Sequence, residues 1–527
     1  MNELLQNARR AGATNVHVYV VPLEKGLQVN VCDDGSGIDD PARIVALGAS
    51  NWSQAVATSE DPAGMGVFAL AGRNTVISSR HRTQEAGWKA TIGSDAWTGE
   101  KNIIVEPCRR DVGTTISFVI DDIHEGTVET ALAEAAKYYP LPVTFNGKEK
   151  VRSDFLAGAA HRFEWNGSTI GIFVGRPYHR TPTVNFHGVT ICANLHTINS
   201  TKRESYHARI DIGSTPSLQL VLPARKELVE NEGLEALQSA CERAIFSYIA
   251  TLEEHHLSFE DWQRAKTIGI DLPEAKPELE YWEPDTADGD DGSPCGEPIQ
   301  IDGDQFICDT YGAHFDQAID RAITGTSLRQ KLVTAKPEYE GYNWYDELRI
   351  FDDPKFIVRI EDEEHVVDEL ESSPPIDGHQ QAGSIELNYR IVDEAGDEAA
   401  RETASSDIVT LFPDGCCSDG IDDVTVIYLK SKQLDPATLV DFLEASCFSA
   451  WNDSDADSWD TQHDRFLRDA RELAHGLLEG EDAAIASQFK DAIARISWAL
   501  PKGKKVTIAF MHDSPIEVNV SEREQQA

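Results

Sequence analysis

NELLQNARRAGATN at residues 2–15, followed by CDDGSGI at residues 32–38, decides how the front of this chain folds. Leu4, Leu5, Ala8 and Ala11 recur at helical spacing and Gly12 stands where a helix stops, so residues 2–12 are predicted to form an amphipathic helix. Glu3 and Asn7 are four apart on it and project from one face. Two apolar runs, NVHVYVV (15–21) and GLQVNVC (26–32), read as the strands of a hairpin. The second run delivers Asp33 to a turn in which Gly35 and Gly37 leave backbone without Cβ atoms beside a carboxylate. A flat ligand with a hydrogen-bond donor on its edge fits there, and the combination reads as a nucleotide pocket. Taken alone, D-D-G-S-G is more often a surface turn.

Further along, Gly64-Met65-Gly66 leads into the apolar run VFALAG, a predicted helix whose free amides and positive dipole end suit a phosphate. The polar stretch before it has no periodicity and reads as a loop. Asn7 offers a neutral oxygen to magnesium, and Glu3, one turn earlier, is placed to polarise a water. As isolated residues the two would be a solvated helix face.

These motifs in this order, NELLQNARRAGATNVHV, VNVCDDGSGI, AGMGVFAL and GTTISF, resemble the GHKL ATPase superfamily of gyrase, heat-shock chaperone, histidine kinase and MutL. The phrase LLQNARRAGATNVHV is most similar to the MutL, MORC and type II topoisomerase branch. The resemblance covers residues 3–115. It implies that Glu3 is the catalytic carboxylate, Asn7 the Mg2+ ligand and Asp33 the adenine reader, with Gly35 and Gly37 shaping the pocket. It also implies that Gly64, Met65 and Gly66 flank the phosphates of ATP, that residues 48–63 form an ATP lid, and that Gly113, Thr114 and Thr115 match the final motif, whose threonine assists adenine binding. The fold implied for residues 1–140 is a two-layer α/β sandwich. A transducer-like α/β domain is expected over 141–258, where LVLPARKELVENEGL offers Lys226, or Arg225, to the γ-phosphate; an exposed basic pair is more often a solvated loop. Two features depart from the family pattern. Only two residues precede Glu3, a helix end expected to fray without cap or packing, and the glycine motif is compressed to A-G-M-G.

Residues 259–305, rich in Pro, Gly, Asp and Glu, read as an acidic linker with little to build a core from. Beyond it, residues 306–527 alternate strands with helices, predicted at 436–447 and 462–498, and form an acidic α+β region whose motifs name no role. The chain as a whole is thus read as α+β. The acidity is concentrated: residues 1–260 hold 31 acidic and 24 basic side chains and the remainder 59 and 23, net charges of −7 and −36. Such a back half repels a phosphate backbone, so nucleic acid is not supported by charge despite a local set of Arg176, Arg180, Lys202, Arg203 and Arg209. A salt-adapted proteome would produce the same acidity; otherwise a basic protein client fits it. Nine scattered cysteines without a C-x-x-C pair read as reduced thiols, and no apolar run spans a bilayer, so a cytoplasmic address without membrane contact is expected. The function expected is a Mg2+-dependent ATPase acting as an ATP-gated conformational or dimerisation switch, with a homodimer as its assembly. The alternative is a non-hydrolysing nucleotide-binding module whose carboxyl-terminal domain binds a protein partner. A histidine kinase does not fit, because its phosphoacceptor helix precedes the asparagine motif.

Overall fold

The computed structural model describes residues 1–527 except 45–69, 99–100, 178–180, 215–217, 222–226, 290–295, 369–371, 374, 377, 394, 412–420, 422–423, 432, 452–456, 495–497, 499–501, 510, 512–513 and 523–527. The chain divides into two units, Met1–Lys276 and Pro277–Ala527.

The first unit opens with helix α1 (Asn2–Arg10) and strands β1 (Val16–Pro22) and β2 (Leu27–Asp33), then β3 (Thr75–Arg80), β4 (Gly87–Ile92), β5 (Ile104–Cys108) and β6 (Gly113–Ile120). Helix α2 (Glu125–Ala136) and the short strands β7 (Val143–Phe145) and β8 (Lys148–Glu149) complete this part. The eight strands form one sheet in the order β5-β4-β3-β6-β2-β1-β7-β8. Alternation along β2 sends Leu27, Val29 and Val31 to the face that α1 and α2 cover, where they share a core with Leu5, Ala8, Ile77 and Leu132. The sheet runs past the expected boundary at 140. The cause is the parallel pairing of Val143–Phe145 with Val16–Val18, which has no local signature.

A second sheet, built from β9 (His161–Trp165), β10 (Ser168–Val174), β11 (Val184–Phe186), β12 (Val189–Ile191), β13 (Thr197–Asn199) and β14 (Ser205–Ile212), packs on helix α3 (Glu232–Ile249). Asn231 caps α3 by accepting from Leu234 N. Helix α4 (Phe259–Thr267), capped by Ser258, adds Ala265 to the same core. The segment read as a linker is therefore not without a core. Leu272 and Ala275 are buried in the first unit, and in the second unit Leu279 is buried and Trp282 is wholly enclosed. The Arg329 guanidinium lies over the Trp282 ring and donates to its carbonyl at 2.6 Å. The residues that do this are few, which is why composition hid them.

The second unit is α+β. Its larger sheet carries the long strands Arg349–Ile360, Ser384–Val392 and Glu398–Ser406, and a smaller one joins Ile408–Leu411 to Thr425–Tyr428. The helix Pro436–Cys447 falls where expected, but the single helix predicted over 462–498 is two, Trp459–Glu479 and Glu481–Ala494. Gly480, at φ +103°, breaks it with a conformation that only glycine adopts without strain.

Candidate functional site

The site grows from the end of α1. Leu4, Leu5 and Ala8 bury one stripe of the helix, and the half-buried Met1 packs on the same core, so the first turn is held by packing although no side chain caps it. The helix ends at Gly12, whose φ of +68° suits glycine. Asp34 then ties the following turn down. Its Oδ1 accepts from Thr14 N at 2.7 Å and Asn15 N at 3.0 Å, and its Oδ2 from the Thr14 hydroxyl. Burial pushes this carboxyl up, but those hydrogen bonds more than reverse it and hold it below the usual range. Ser36 N donates to Ala11 O at 2.8 Å, joining the glycine turn to the helix end.

Asp33 has the opposite environment. Burial is the main influence and pushes its pKa up to about 6, against hydrogen bonds from the Gly35 and Thr114 backbones and the charge of Arg110. Its Oδ1 accepts from Gly35 N at 3.0 Å. Around it the backbone is tight. A Cβ at Gly35 would lie 2.7 Å from the Ala11 Cβ, one at Gly37 would meet Arg80 O, and one at Gly113 would meet Asp33 O. Gly37 and Gly113 also have φ of +74° and +121°, so glycine is required there twice over.

Register brings together residues the sequence keeps apart. Asp33 pairs with Thr114 across β2 and β6, and Thr114 pairs with Ser79 across β6 and β3, so the three share one row and one face. The Ser79 hydroxyl, wholly buried, is the hub of this row. It lies 3.0 Å from both Gly113 O and Thr114 Oγ1 and accepts from Ile38 N at 2.7 Å. Ser79 was not foreseen, because a serine in TVISSR carries no sign of its cross-strand neighbours. Thr115, expected in the same motif as Thr114, lies apart from Asp33. It pairs with Cys32, and its hydroxyl donates to Cys32 Sγ at 3.3 Å on the other face of the sheet. Side chains alternate along a strand, so only one of two adjacent threonines can face Asp33.

Glu3 and Asn7 are half-buried, four residues apart on one helix face. A cavity of about 260 Å³ opens at the start of α1, lined by Met1, Glu3, Leu4, Arg73, Phe118 and Thr127 among others. It holds Glu3 but neither Asn7 nor Asp33. Among the described residues no group of three His, Cys, Asp or Glu is placed to hold a metal ion. Gly64, Met65, Gly66, Arg225 and Lys226 lie outside the described residues. One further residue, Gln6, escaped the sequence reading. It is buried, and its amide donates to His187 O at 2.7 Å, while the Tyr139 hydroxyl donates to Leu5 O at 2.6 Å. These two bonds fasten α1 to the β11–β12 turn of the second sheet and to the segment after α2. A buried polar residue on the apolar stripe of α1 was the available signal.

Residues 1–124 match the family model described as histidine kinase-, DNA gyrase B-, and HSP90-like ATPase. No curated protein matches the chain. Among solved structures, the ATPase domain of Aquifex aeolicus MutL complexed with ADP is similar at 17% identity and a TM-score of 0.24, covering 36% of this chain and 80% of that one. The ATPase domain of the Aquifex aeolicus mismatch repair endonuclease MutL shows 17% identity and a TM-score of 0.25 over 45% and 95%. The amino-terminal domain of a DNA repair protein shows 11% identity and a TM-score of 0.27 over 47% and 92%.

Proposed function

We propose, from the match of residues 1–124 to the histidine kinase-, DNA gyrase B- and HSP90-like ATPases, that this chain is a Mg2+-dependent ATP hydrolase in which nucleotide binding works a conformational switch. The observation that carries the reading is the corner at Asp33. Its carboxylate is half-buried and incompletely compensated, on the same sheet face as Thr114 and Ser79, beside glycine backbone that tolerates no Cβ. An adenine edge supplies what that corner lacks, an amine donor for the carboxylate and a flat ring against the backbone.

In this reading Asp33 accepts from the exocyclic amine, and Gly35, Gly37 and Gly113 let the ring approach. Thr114, held by Ser79, provides the threonine hydroxyl of the final motif. Glu3 accepts the proton of the attacking water as its oxygen bonds to the γ-phosphorus and the bond to the β-phosphate oxygen breaks, leaving ADP and phosphate. The donor set near α1 fits magnesium. Asn7 supplies one neutral oxygen, and a Mg2+ ion commonly completes its shell with phosphate oxygens and waters rather than with a protein cage. When bound, the ion neutralises charge developing on the phosphates. Gly64, Met65, Gly66 and Lys226 keep their proposed phosphate roles by resemblance alone.

The switch reading rests on how α1 is fastened. Because Gln6 and Leu5 bind the second sheet's β11–β12 turn and Tyr139, a displacement of α1 on nucleotide binding is felt by the transducer-like part of the unit. ATP need only bind one arrangement more tightly than the other. We further propose association of two ATPase domains as the switched state, kinship with the MutL-like branch, a basic protein client for the acidic second unit, and a cytoplasmic address. The test is Mg2+-dependent ATP turnover together with nucleotide affinity for the natural chain, Glu3→Ala and Asp33→Asn. Turnover lost with binding retained in Glu3→Ala, and binding lost in Asp33→Asn, are the expected results. Normal turnover in Glu3→Ala would remove the water-activating role, and unchanged affinity in Asp33→Asn would remove the adenine role.

A further inference from the structure

Strand β14 turns Tyr206, Ala208 and Ile210 into the core it shares with α3 and presents His207, Arg209 and Asp211 on its other face. Opposite these three on β10 stand Phe173, Gly171 and Thr169. Gly171 contributes no side chain, and the Arg209 guanidinium lies over the Phe173 ring, 4.1 Å from its centroid. The His207 ring stacks on the same phenyl at 5.6 Å and 20°. Phe155, Leu156 and Tyr138 pack around Phe173 and withdraw the group from water. His207 is only 7% exposed, and neither of its ring nitrogens has a hydrogen-bond partner among the described residues; the Nε of Arg209 is buried and unpaired in the same way. Burial and the charge of Arg209 lower the pKa of His207 against the pull of the Gly175 backbone, so the imidazole is neutral at pH 7, while the guanidinium keeps its charge. The neighbouring carboxylates are engaged elsewhere. Asp211 accepts from Asn185 Nδ2 at 2.7 Å, Asp154 is ion-paired with Arg162, and Glu204 accepts from the Tyr206 hydroxyl at 2.9 Å. Buried polar groups in folded proteins are paired, so three unpaired nitrogens side by side call for a ligand.

We propose that Arg209 and His207 hold a phosphate group that keeps a proton, as inorganic phosphate does at neutral pH. The donor set selects this ligand. A neutral imidazole carries one N–H donor and one acceptor nitrogen, and a guanidinium carries donors alone. A carboxylate or a sulfate accepts from the donors but leaves the acceptor nitrogen of His207 unserved. A protonated phosphate accepts from Arg209 and from the imidazole N–H, and its P–OH donates to the other ring nitrogen. Arginine suits phosphate oxygens in geometry as well as in charge. The surroundings favour an anion here more than elsewhere in the chain, since residues 1–260 have a net charge of −7 against −36 for the remainder. Arg176, just beyond β10, and Arg203, just before β14, are exposed at the same edge of the sheet as His207. The inference goes beyond the ATPase reading and does not depend on it, because no residue of the Asp33 corner takes part.

The test is titration calorimetry of the full chain with inorganic phosphate at pH 7, without nucleotide or Mg2+, for the natural chain and for Asp33→Asn. Both are expected to bind one phosphate with the same affinity. Sulfate at matched ionic strength, which keeps no proton at this pH, is expected to bind about tenfold more weakly. Glycerol phosphate separates the sources of the ligand: binding tighter than that of inorganic phosphate identifies an organic phosphate, and weaker binding identifies the free ion. Arg209→Met, which keeps an apolar stem for Phe173, and His207→Leu are each expected to lose about tenfold or more in phosphate affinity. His207→Gln, which has a donor and an acceptor of its own, is expected to retain it. Far-ultraviolet circular dichroism identifies a variant that fails to fold, and the sulfate comparison on the natural chain then decides without it. A natural chain that binds no phosphate, or binds sulfate equally well, overturns the proposal. So does unchanged affinity in a folded Arg209→Met or His207→Leu variant, or loss of phosphate binding in Asp33→Asn, which would put the ion in the nucleotide corner.

Discussion

Asp407 of the second unit and Asp33 of the first are both carboxylates withdrawn from solvent, yet their surroundings treat them in opposite ways. In the second unit Asp316 is fully enclosed and accepts from Tyr311 N at 2.9 Å and Asp285 N at 3.3 Å. Asp407 there is gripped by both arms of the Arg321 guanidinium at 2.9 Å and by the Ser431 hydroxyl at 3.1 Å. Burial pushes Asp407 up, but Arg321 and Ser431 more than reverse it and hold it below the usual carboxylate range. In the first unit Asp33 is left with its pKa pushed up to about 6. A buried acid whose bonds are filled holds a fold, whereas one left short of donors has capacity for a ligand.

The sharpest way to break this comparison is to remove a filled acid. Asp407→Ala leaves the Arg321 guanidinium without its partner and is expected to destabilise the second unit by about 3 kcal/mol, less than a fully buried pair because Arg321 is partly solvated. Denaturant unfolding measures it, and ATP turnover is expected to be unchanged. Asp33→Asn is expected to do the reverse: nucleotide affinity falls at least tenfold while stability rises by about 1–2 kcal/mol above pH 7. The sign follows from the raised pKa. Asp33 favours the folded state most below its unfolded value of 3.8, and that contribution is lost as pH rises through about 6. ATP affinity runs the other way. The ionised carboxylate is the acceptor, so titration calorimetry is expected to show binding weakening roughly tenfold per pH unit below about 6, a dependence absent from Asp33→Asn.

Smaller changes sharpen the comparison inside the site. Ser79→Ala strands the buried groups it serves at Gly113, Thr114 and Ile38, and is expected to cost about 1–3 kcal/mol by thermal denaturation and to weaken ATP several-fold. Gln6→Leu removes the buried bond to His187 O, at a cost of about 1 kcal/mol. Its informative readout is the nucleotide dependence of hydrogen exchange at β11 and β12, which is expected to disappear while ATP still binds. The least effect belongs to Thr115→Val, with affinity within twofold of the natural chain, against a clear loss in Thr114→Val. Equal losses from both threonines would contradict the assignment of faces.

Much of this was legible in the chain, for reasons that differ by residue. Asp33, Gly35, Gly37 and Gly113 could be named because their requirements are local: a carboxylate at a strand end, and backbone that is crowded or has positive φ. Asp34 stood beside Asp33 in the same motif and passed unremarked, since its partners Thr14 and Asn15 lie about twenty positions earlier. Ser79 and Gln6 were missed for the same reason, being defined by neighbours across the sheet or on another element. Thr115 was included because a motif is a run of letters, while a strand divides that run between two faces. The linker reading failed at Trp282, where a single large side chain outweighed the polarity around it.

By itself the sequence determined the helix that presents Glu3 and Asn7, the glycine turn at Asp33, the order of the motifs, and the gathering of acidity beyond residue 260. Each depends on residues within a few positions of one another, or on a simple sum. The tertiary structure alone decided which threonine joins Asp33, that Ser79 holds the row together, that β7 extends the first sheet, and that two adjacent aspartates have opposite proton affinities. The physical reason is that register, face and burial arise from pairing between distant segments. Proton affinity follows from burial and from which distant groups come to donate, so Asp33 and Asp34 differ in kind while sharing a motif.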